Sequence, residues 1–296
     1  MDTKLKIPPQ VQHSIIGVLW MVAWACCINL AMVTAKFLTP NISNAMIILM
    51  RNLFAFIILL PMISLTKDRV FQTKQPFRQA VNSVLIVSTM ACTYYAYRHL
   101  PLAFATSIGF SGPLITTVLS ILFLKDEVLW QKWLWISIGY LGVLIVLHPI
   151  QVTVNYAVFI LLLANVLASL AIINRKILLK TDSPESILLI GNTGGLVLAA
   201  IVSIFFWQNI AFKDLILLVG IGSFGILSQY CYLNALKNKD PSFVSPFEYS
   251  RLIMAIPIGI WVFNEHFKLT IATGGLFIVL AGIAILKLQF KKDLQS

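Results

Sequence analysis

The sequence predicts an all-α integral membrane protein with ten transmembrane helices. Three observations support this fold class: an apolar composition, ten apolar segments of spanning length, and basic residues that alternate between the ends of those segments. Of the 296 residues, 59% are hydrophobic and 11% are charged, whereas a soluble domain carries about 25% charged residues. Little of the chain is left for a soluble domain.

The ten apolar segments follow one another with short connections. Each approaches the roughly 20 residues that an α-helix needs to cross a hydrocarbon core of about 30 Å. Segments of this length without ten-residue alternation favour helices over a β-barrel, because every backbone polar group in lipid needs an internal partner. The predicted spans are 14–35, 43–65, 78–98, 102–124, 132–148, 155–174, 186–207, 213–235, 242–263 and 269–287.

The first span follows a polar N-terminus, residues 1–13, which contains Pro8 and Pro9. Its apolar run is too long for the core of a signal peptide and carries no small-residue cleavage site. We therefore expect the first helix to be retained in the mature protein.

The basic residues predict the orientation, because Lys and Arg stay preferentially on the cytoplasmic side. With the N-terminus inside, sixteen of the 22 Lys and Arg residues lie in cytoplasmic segments, Arg175 after the sixth span among them, and four lie outside. The remaining two, Arg51 and Arg251, lie within predicted helices. We expect a multi-pass protein of the bacterial inner membrane with both termini cytoplasmic.

No cofactor, metal site or catalytic residue is expected from the composition. The four cysteines lie in apolar runs without C-x2-C spacing, and the four histidines occur singly at helix ends. The net charge of +11 does not indicate nucleic-acid binding, because the basic residues do not cluster in one segment. The expected partners are a small-molecule substrate and the lipid bilayer, with a homodimer left open.

An internal repeat relates the two halves of the chain. Tyr95 precedes Glu127 by 32 residues, and Tyr232 precedes Glu265 by 33 residues. A unit of five helices, an odd number, would re-enter from the opposite side, so the prediction is two inverted repeats, residues 1–150 and 151–296. The matched features are Tyr94-Tyr95-Ala96-Tyr97 with Tyr230-Cys231-Tyr232, Gly112-Pro113 with Pro246 and Pro257, Asp126-Glu127 with Asn264-Glu265, and Gly142 with Gly282.

This pattern resembles the drug/metabolite transporter superfamily, specifically its EamA-type members, over nearly the full chain. The resemblance rests on the Tyr-rich third and eighth helices, the Pro-bearing fourth and ninth, and the acidic corners before the fifth and tenth. It implies two inverted five-helix repeats around a central cavity lined by helices 1–4 and 6–9. Residues 129–133 and 245–249 are further similar to S-adenosylmethionine uptake proteins of obligate intracellular bacteria.

The ionic residues inside predicted helices are the main candidates for substrate binding, since a charge in the bilayer centre is costly and usually faces a cavity or a partner. Glu248 is expected to receive a cationic group or a coupling proton, and Arg51 or Arg251 a carboxylate. Two alternatives stay open. Glu248 and Arg251, three residues apart, could form a structural salt bridge, and Arg51 could extend to the membrane surface.

Aromatic and amide side chains complete the predicted site. Tyr95, Tyr232 and Tyr249 could stack on a flat base or hold a cation, or could pack and anchor the helices at the interface. Asn29 and Asn165 lie near the middle of the first helix of each half and could bind solute or join helices. Gly112, Pro113 and Pro246 interrupt backbone hydrogen bonding and are predicted hinges or simple kinks.

The predicted function is secondary transport of a small polar or zwitterionic metabolite by alternating access. The best single prediction is uptake of S-adenosylmethionine. The alternative within the superfamily is an exporter or exchanger of amino acids or other metabolites. A membrane-embedded enzyme is less favoured, because no convergent catalytic set such as H-E-x-x-H occurs, and neither does an ATP-binding P-loop.

Overall fold

The chain folds into a helical bundle. The computed structural model describes residues 9–38, 42–65, 72–100, 108–147, 156–263 and 269–295. The predicted start of the fourth span, 102–107, and the Asn264-Glu265 corner lie outside them. The ten longer helices of the described residues are α1 (Pro9–Lys36), α2 (Asn44–Leu65), α3 (Pro76–His99), α4 (Gly112–Leu124), α5 (Trp130–Leu147), α6 (Tyr156–Leu178), α7 (Pro184–Ser203), α8 (Phe212–Asn238), α9 (Ser250–Phe263) and α10 (Leu269–Gln295).

Five of these helices are long and apolar enough to cross a membrane, judged by length and composition. They contain the spans Gln12–Ala35, Asn44–Pro61, Tyr156–Leu178, Pro184–Phe206 and Phe212–Asn238. α3 is not among the five, although it has 24 residues, and polar side chains such as Gln79, Asn82 and Ser83 are buried along it. Burial of these groups indicates that α3 presents a polar face to its neighbours.

The eight most extensive helix pairs among the described residues follow one exchange rule. α1 packs on α8 and α3 on α6; α2 packs on α8 and α3 on α7; α1 packs on α9 and α4 on α6. α2 also packs on α7, and α5 on α10. Exchanging each of the first five helices with the helix five places later converts the first six of these pairs into one another and leaves the α2–α7 and α5–α10 pairs unchanged.

The connections meet at two ends of the bundle. Thr73, after α2, hydrogen-bonds to Asp182, after α6, and Lys176 near the end of α6 pairs with Asp240, after α8. At the beginning of α2, the backbone N–H of Ser43 donates to the Gln208 side chain that precedes α8. The connections that follow α2, α6 and α8 therefore share one end, and those that follow α1 and α7 share the end where α2 begins.

Glycine permits close helix contacts at two crossings. A Cβ at Gly142 of α5 would lie 2.7 Å from the carbonyl oxygen of Gly274 in α10, so these two helices approach through their backbones. Gly191 of α7 gives space to the buried amide of Asn82 in α3 in the same way. Small residues at such crossings allow the tight packing that membrane helices need, because lipid supplies no hydrophobic drive between helices.

Candidate functional site

The beginnings of α4 and α9 meet inside the bundle. Each helix follows a segment that is not α-helical: a turn at Phe110 and Ser111 precedes α4, and a 3-10 helix over Ser245–Tyr249 precedes α9. The rings of Phe110 and Tyr249 lie 6.0 Å apart. The guanidinium carbon of Arg251 lies 4.7 Å from the centroid of the Phe110 ring. The two irregular segments are therefore in direct contact.

The predicted hinge residues lie in these segments. Gly112 and Pro113 are the first two residues of α4, and Pro246 is the second residue of the 3-10 helix. The sequence interpretation placed Gly112-Pro113 inside a helix, whereas the structure places it at the N-terminus of α4. Proline is tolerated there because its missing N–H has no intrahelical partner in any case. Their role as hinges stays a prediction.

Asn29 and Asn165 each form hydrogen bonds to groups in or beside an irregular segment in the other half of the chain. The Nδ2 atom of Asn29 in α1 donates to the Arg251 carbonyl oxygen at 2.9 Å. The Nδ2 atom of Asn165 in α6 donates to the Ile108 carbonyl oxygen at 2.8 Å and to the Ser111 hydroxyl at 3.1 Å. Each asparagine thus satisfies a carbonyl beside the start of the fourth helix in the opposite half. Direct contact with a solute stays a prediction for both.

Glu248 is hydrogen-bonded to Tyr232. The Tyr232 hydroxyl in α8 donates to Glu248 Oε1 at 2.7 Å, and the Tyr232 ring packs edge-on against Trp24 of α1, with centroids 5.8 Å apart. Arg251 interacts electrostatically with Glu248, yet among the described residues its guanidinium contacts Phe110 instead of forming a close ion pair with Glu248. These two described residues therefore do not form a salt bridge, and neutralisation of Glu248 by Arg251 stays a prediction.

The other two predicted tyrosines have contrasting surroundings. Tyr249 is 2% exposed, and its hydroxyl has no hydrogen-bond partner among the described residues. Gly139 of α5 lies directly against its ring. Tyr95 is 42% exposed and stacks on His99 with centroids 4.2 Å apart. The structure therefore brings Tyr249 to the contact between the irregular segments and leaves Tyr95 apart from it.

Arg51 lies in the interface between α2, α3 and α8. Its Nη1 atom donates to the Met90 sulfur at 2.9 Å, and a Cβ at Gly225 would lie 2.9 Å from its Nε atom. Gly225 thus leaves the space that the guanidinium fills. This position favours an interior role for Arg51 over the alternative of extension to the membrane surface.

The structure adds Arg175, which the sequence interpretation assigned to a cytoplasmic connection. α6 continues to Leu178, and Arg175 within it is 9% exposed. Its Nη2 atom donates to Gln229 Oε1 at 2.7 Å, and its Nε atom donates to Asn82 Oδ1 at 3.1 Å. The amides on α3 and α8 were visible in the sequence, but only tertiary packing shows that they surround Arg175.

A carboxylate at one end of the bundle is fully enclosed by donors. Asp182 accepts hydrogen bonds from the side chains of Thr73, Gln79 and Thr181 and from the Lys74 backbone N–H. Burial alone would raise the pKa of Asp182, but these hydrogen bonds outweigh it and hold the pKa below its ordinary value of 3.8. The charged form of this side chain therefore ties α3 to the connection between α6 and α7.

A second carboxylate at this end, that of Asp126, has a raised pKa. Burial raises the pKa of Asp126, and the nearby charge of Asp240 raises it further, while hydrogen bonds from Ser242 and Ser120 lower it in part. Asp240 itself pairs with Lys176 at 3.2 Å. The acidic corner predicted before the fifth span therefore packs against the connection that leads into the 3-10 helix.

Comparison with known proteins identifies the family. Residues 15–148 and 155–287 each match the model of the EamA-like transporter family. The S-adenosylmethionine uptake transporter of Rickettsia prowazekii is 25% identical, with 95% of each chain covered, and that of Rickettsia bellii is 27% identical over 92% of this chain and 93% of the relative. A riboflavin transporter of Rhizobium johnstonii is 25% identical over 88% of this chain and 87% of the relative.

The fold has also been seen in a solved structure. A crystal structure matches with a TM-score of 0.80 and covers 96% of this chain and 99% of that chain, at 13% sequence identity. The resemblance predicted from the Tyr-rich and Pro-bearing helices is confirmed by the two family matches. This multi-pass bacterial membrane protein therefore belongs to the EamA-like transporter family.

Proposed function

We propose that the protein is a secondary transporter that carries a small zwitterionic metabolite across the bacterial cytoplasmic membrane by alternating access. The observation that carries this proposal is the position of Glu248. The carboxylate lies in a 3-10 segment, is held by Tyr232, and is adjacent to the contact between the two irregular segments. Transporter sites commonly combine interrupted helices with a charged group near the bilayer midplane.

Inverted repeats, residues 1–150 and 151–296, are part of the proposal. The exchange rule among the helix pairs and the two separate family matches support this division. Gly17 near the beginning of α1 lies beside Lys239, which follows the end of α8. The first helix of the first half and the third helix of the second half therefore run in opposite directions. Rocking of one half against the other, with Gly112, Pro113 and Pro246 as hinges, would open the site alternately to each side.

Both termini are proposed to be cytoplasmic. The connections after α2, α6 and α8 meet at one end of the bundle, as a topology with these connections on one side requires. Apart from the buried Arg175, eight of the 22 Lys and Arg residues lie in or beside these three connections, against two beside the connections after α1 and α7. This bias favours the cytoplasm for the end where the three connections meet.

S-adenosylmethionine is the proposed substrate. Its sulfonium and ammonium groups are cations that Glu248 and the ring of Tyr232 could bind. Relatives named as S-adenosylmethionine uptake transporters align over nearly the whole chain. Riboflavin, the solute named for another relative, carries no fixed charge, so it would leave Glu248 without a counterpart. Amino-acid export or exchange is the second candidate, because the same charged groups suit any small zwitterion.

Uptake of labelled S-adenosylmethionine into proteoliposomes tests the proposal. We expect saturable uptake with the intact protein and at least a tenfold lower rate with Glu248→Gln, which keeps the size of the side chain and removes its charge. Gln208→Glu, far from Glu248 at the end where α2 begins, is the matched control and should transport normally. Undiminished uptake by Glu248→Gln would remove this carboxylate from the mechanism, and absence of uptake by the intact protein would exclude this substrate.

A further inference from the structure

One face of α8 contacts three of the central charged groups, Arg51, Arg175 and Glu248. Gly225, Gln229 and Tyr232 are spaced by four and three residues, so they lie on the same side of the helix. Arg51 fills the space over Gly225, Arg175 donates to Gln229, and Glu248 accepts from Tyr232. The two guanidinium groups thus occupy neighbouring turns of α8, and the carboxylate occupies the next turn.

The partners of both arginines are uncharged. Arg175 donates to the Gln229 and Asn82 side-chain oxygens, and Arg51 donates to the sulfur of Met90. In the part of the chain that the structure describes, no carboxylate lies within ion-pair distance of either guanidinium. The two arginines also act electrostatically on each other, so their mutual repulsion adds to the cost of burial.

Such an arrangement is unfavourable without a ligand. A buried charge is stable when it is paired, and two like charges near each other raise the cost further. A guanidinium binds a carboxylate with two parallel hydrogen bonds, a geometry that Arg provides and Lys does not. Two guanidinium groups with neutral neighbours inside the bundle, Arg175 buried and Arg51 half-buried, are therefore suited to bind an anionic group.

We infer that Arg175 and Arg51 form a carboxylate-binding subsite, and that the substrate is a small metabolite of the amino-acid type with a free carboxylate. This inference rests on the proposed function and refines it: the cationic part of the solute binds at Glu248 and Tyr232, and its carboxylate binds one to two helical turns away along α8. Gln229 and Asn82 position the Arg175 guanidinium for that contact.

The Gln229→Glu variant tests this subsite without removing either arginine. The new carboxylate would lie at the 2.7 Å contact with Arg175 Nη2 and form a resident ion pair that competes with the carboxylate of the solute. We expect binding of S-adenosylmethionine to the purified protein to weaken at least tenfold, while binding of its decarboxylated derivative changes less than threefold. Gln208→Glu, with the same change in charge, should bind both compounds as the intact protein does.

A second readout does not depend on the identity of the substrate. At equal ionic strength, acetate should raise the unfolding temperature of the intact protein more than chloride does, since a bound anion stabilises the folded state. The Gln229→Glu protein should show no such difference. If acetate acts in this way and S-adenosylmethionine does not bind, the subsite stands and the proposed substrate fails. If S-adenosylmethionine binds equally to intact and Gln229→Glu proteins, or acetate acts equally on both, the subsite is refuted.

Discussion

The centre of the bundle and the corner at Asp182, where α3 meets the connection between α6 and α7, differ in how their charged groups are paired. At the corner, four donors surround one carboxylate, and the pKa of Asp182 lies below its ordinary value as a result. In the centre, Arg175 and Arg51 have only neutral partners, and Glu248 has a single phenolic donor. The carboxylate at the corner has all its partners within the chain, whereas neither Arg175 nor Arg51 has a carboxylate partner among the described residues.

This difference distinguishes polar groups that stabilise the fold from charged groups that are available to bind a ligand. Enclosed networks stabilise the folded state, because each buried polar group has its partner. Charges that lack counter-ions reduce stability and persist where a ligand supplies the missing group. Substitutions at the corner should therefore change stability more than transport, and substitutions in the centre should do the reverse.

The largest effect is expected for Arg175→Met. Methionine is shorter than arginine but similar in volume and carries no charge, and replacing a buried ion by an apolar residue of similar volume is often neutral or stabilising. We expect uptake to fall about 100-fold, while the unfolding temperature in detergent stays the same or rises. A large loss of stability together with a small loss of uptake would show that Arg175 is a structural residue like Asp182.

A smaller central effect is expected for Gly225→Ala. The added Cβ would lie 2.9 Å from the Nε atom of Arg51, so the guanidinium must move while its charge remains. Because its position sets the geometry of the proposed anion contact, uptake should fall about tenfold. Gly275→Ala in α10 is the matched control, since no atom lies within 4 Å of its Cβ position; equal rates for the two variants would contradict the role of Arg51.

The corner variant Asp182→Asn should show the opposite pattern. It replaces an ionic acceptor of four hydrogen bonds by an amide that cannot accept all of them, and such a loss costs about 1–3 kcal/mol. We expect a lower unfolding temperature and uptake per folded molecule within about threefold of the intact protein. An uptake loss as large as that of Arg175→Met, at unchanged stability, would place Asp182 in the transport mechanism.

The smallest effect concerns pH. A carboxyl group with a lowered pKa stabilises the folded state fully above its unfolded value, here 3.8, and this stabilisation is lost as the pH falls through the lower folded value. The stability difference between the intact protein and Asp182→Asn should therefore stay constant from about pH 8 to pH 5 and shrink only in stronger acid. Unfolding temperatures of both proteins measured across this range test the prediction. A difference that disappears between pH 7 and pH 5 would contradict a lowered pKa of Asp182.

Local sequence patterns predicted the elements better than the site. Apolar segments located the helices, and the Tyr and Pro spacing identified the family. Glu248 stood out because a carboxylate is rare in an apolar segment. Arg175 was misplaced because an arginine three residues before the last residue of an apolar helix matches the pattern of a membrane-flanking cation.

The contacts among distant residues could not be derived from one sequence. Tyr95 and Tyr232 were predicted to occupy corresponding places in the repeat, yet Tyr95 is exposed beside His99 and Tyr232 binds Glu248. Their difference depends on which helices face them in three dimensions. The Asp182 corner joins residues more than 100 positions apart, and no periodicity along the chain reports such a meeting.

Ligand-induced stabilisation tests most directly the claim that the solute completes the central charges. Unfolding temperatures of the intact protein, Glu248→Gln, Arg175→Met and Asp182→Asn would be measured with and without S-adenosylmethionine. A ligand that binds only the folded state stabilises it according to its concentration and affinity, so the intact and Asp182→Asn proteins should shift by similar amounts and both central variants should not shift. An equal shift in all four proteins would contradict the account.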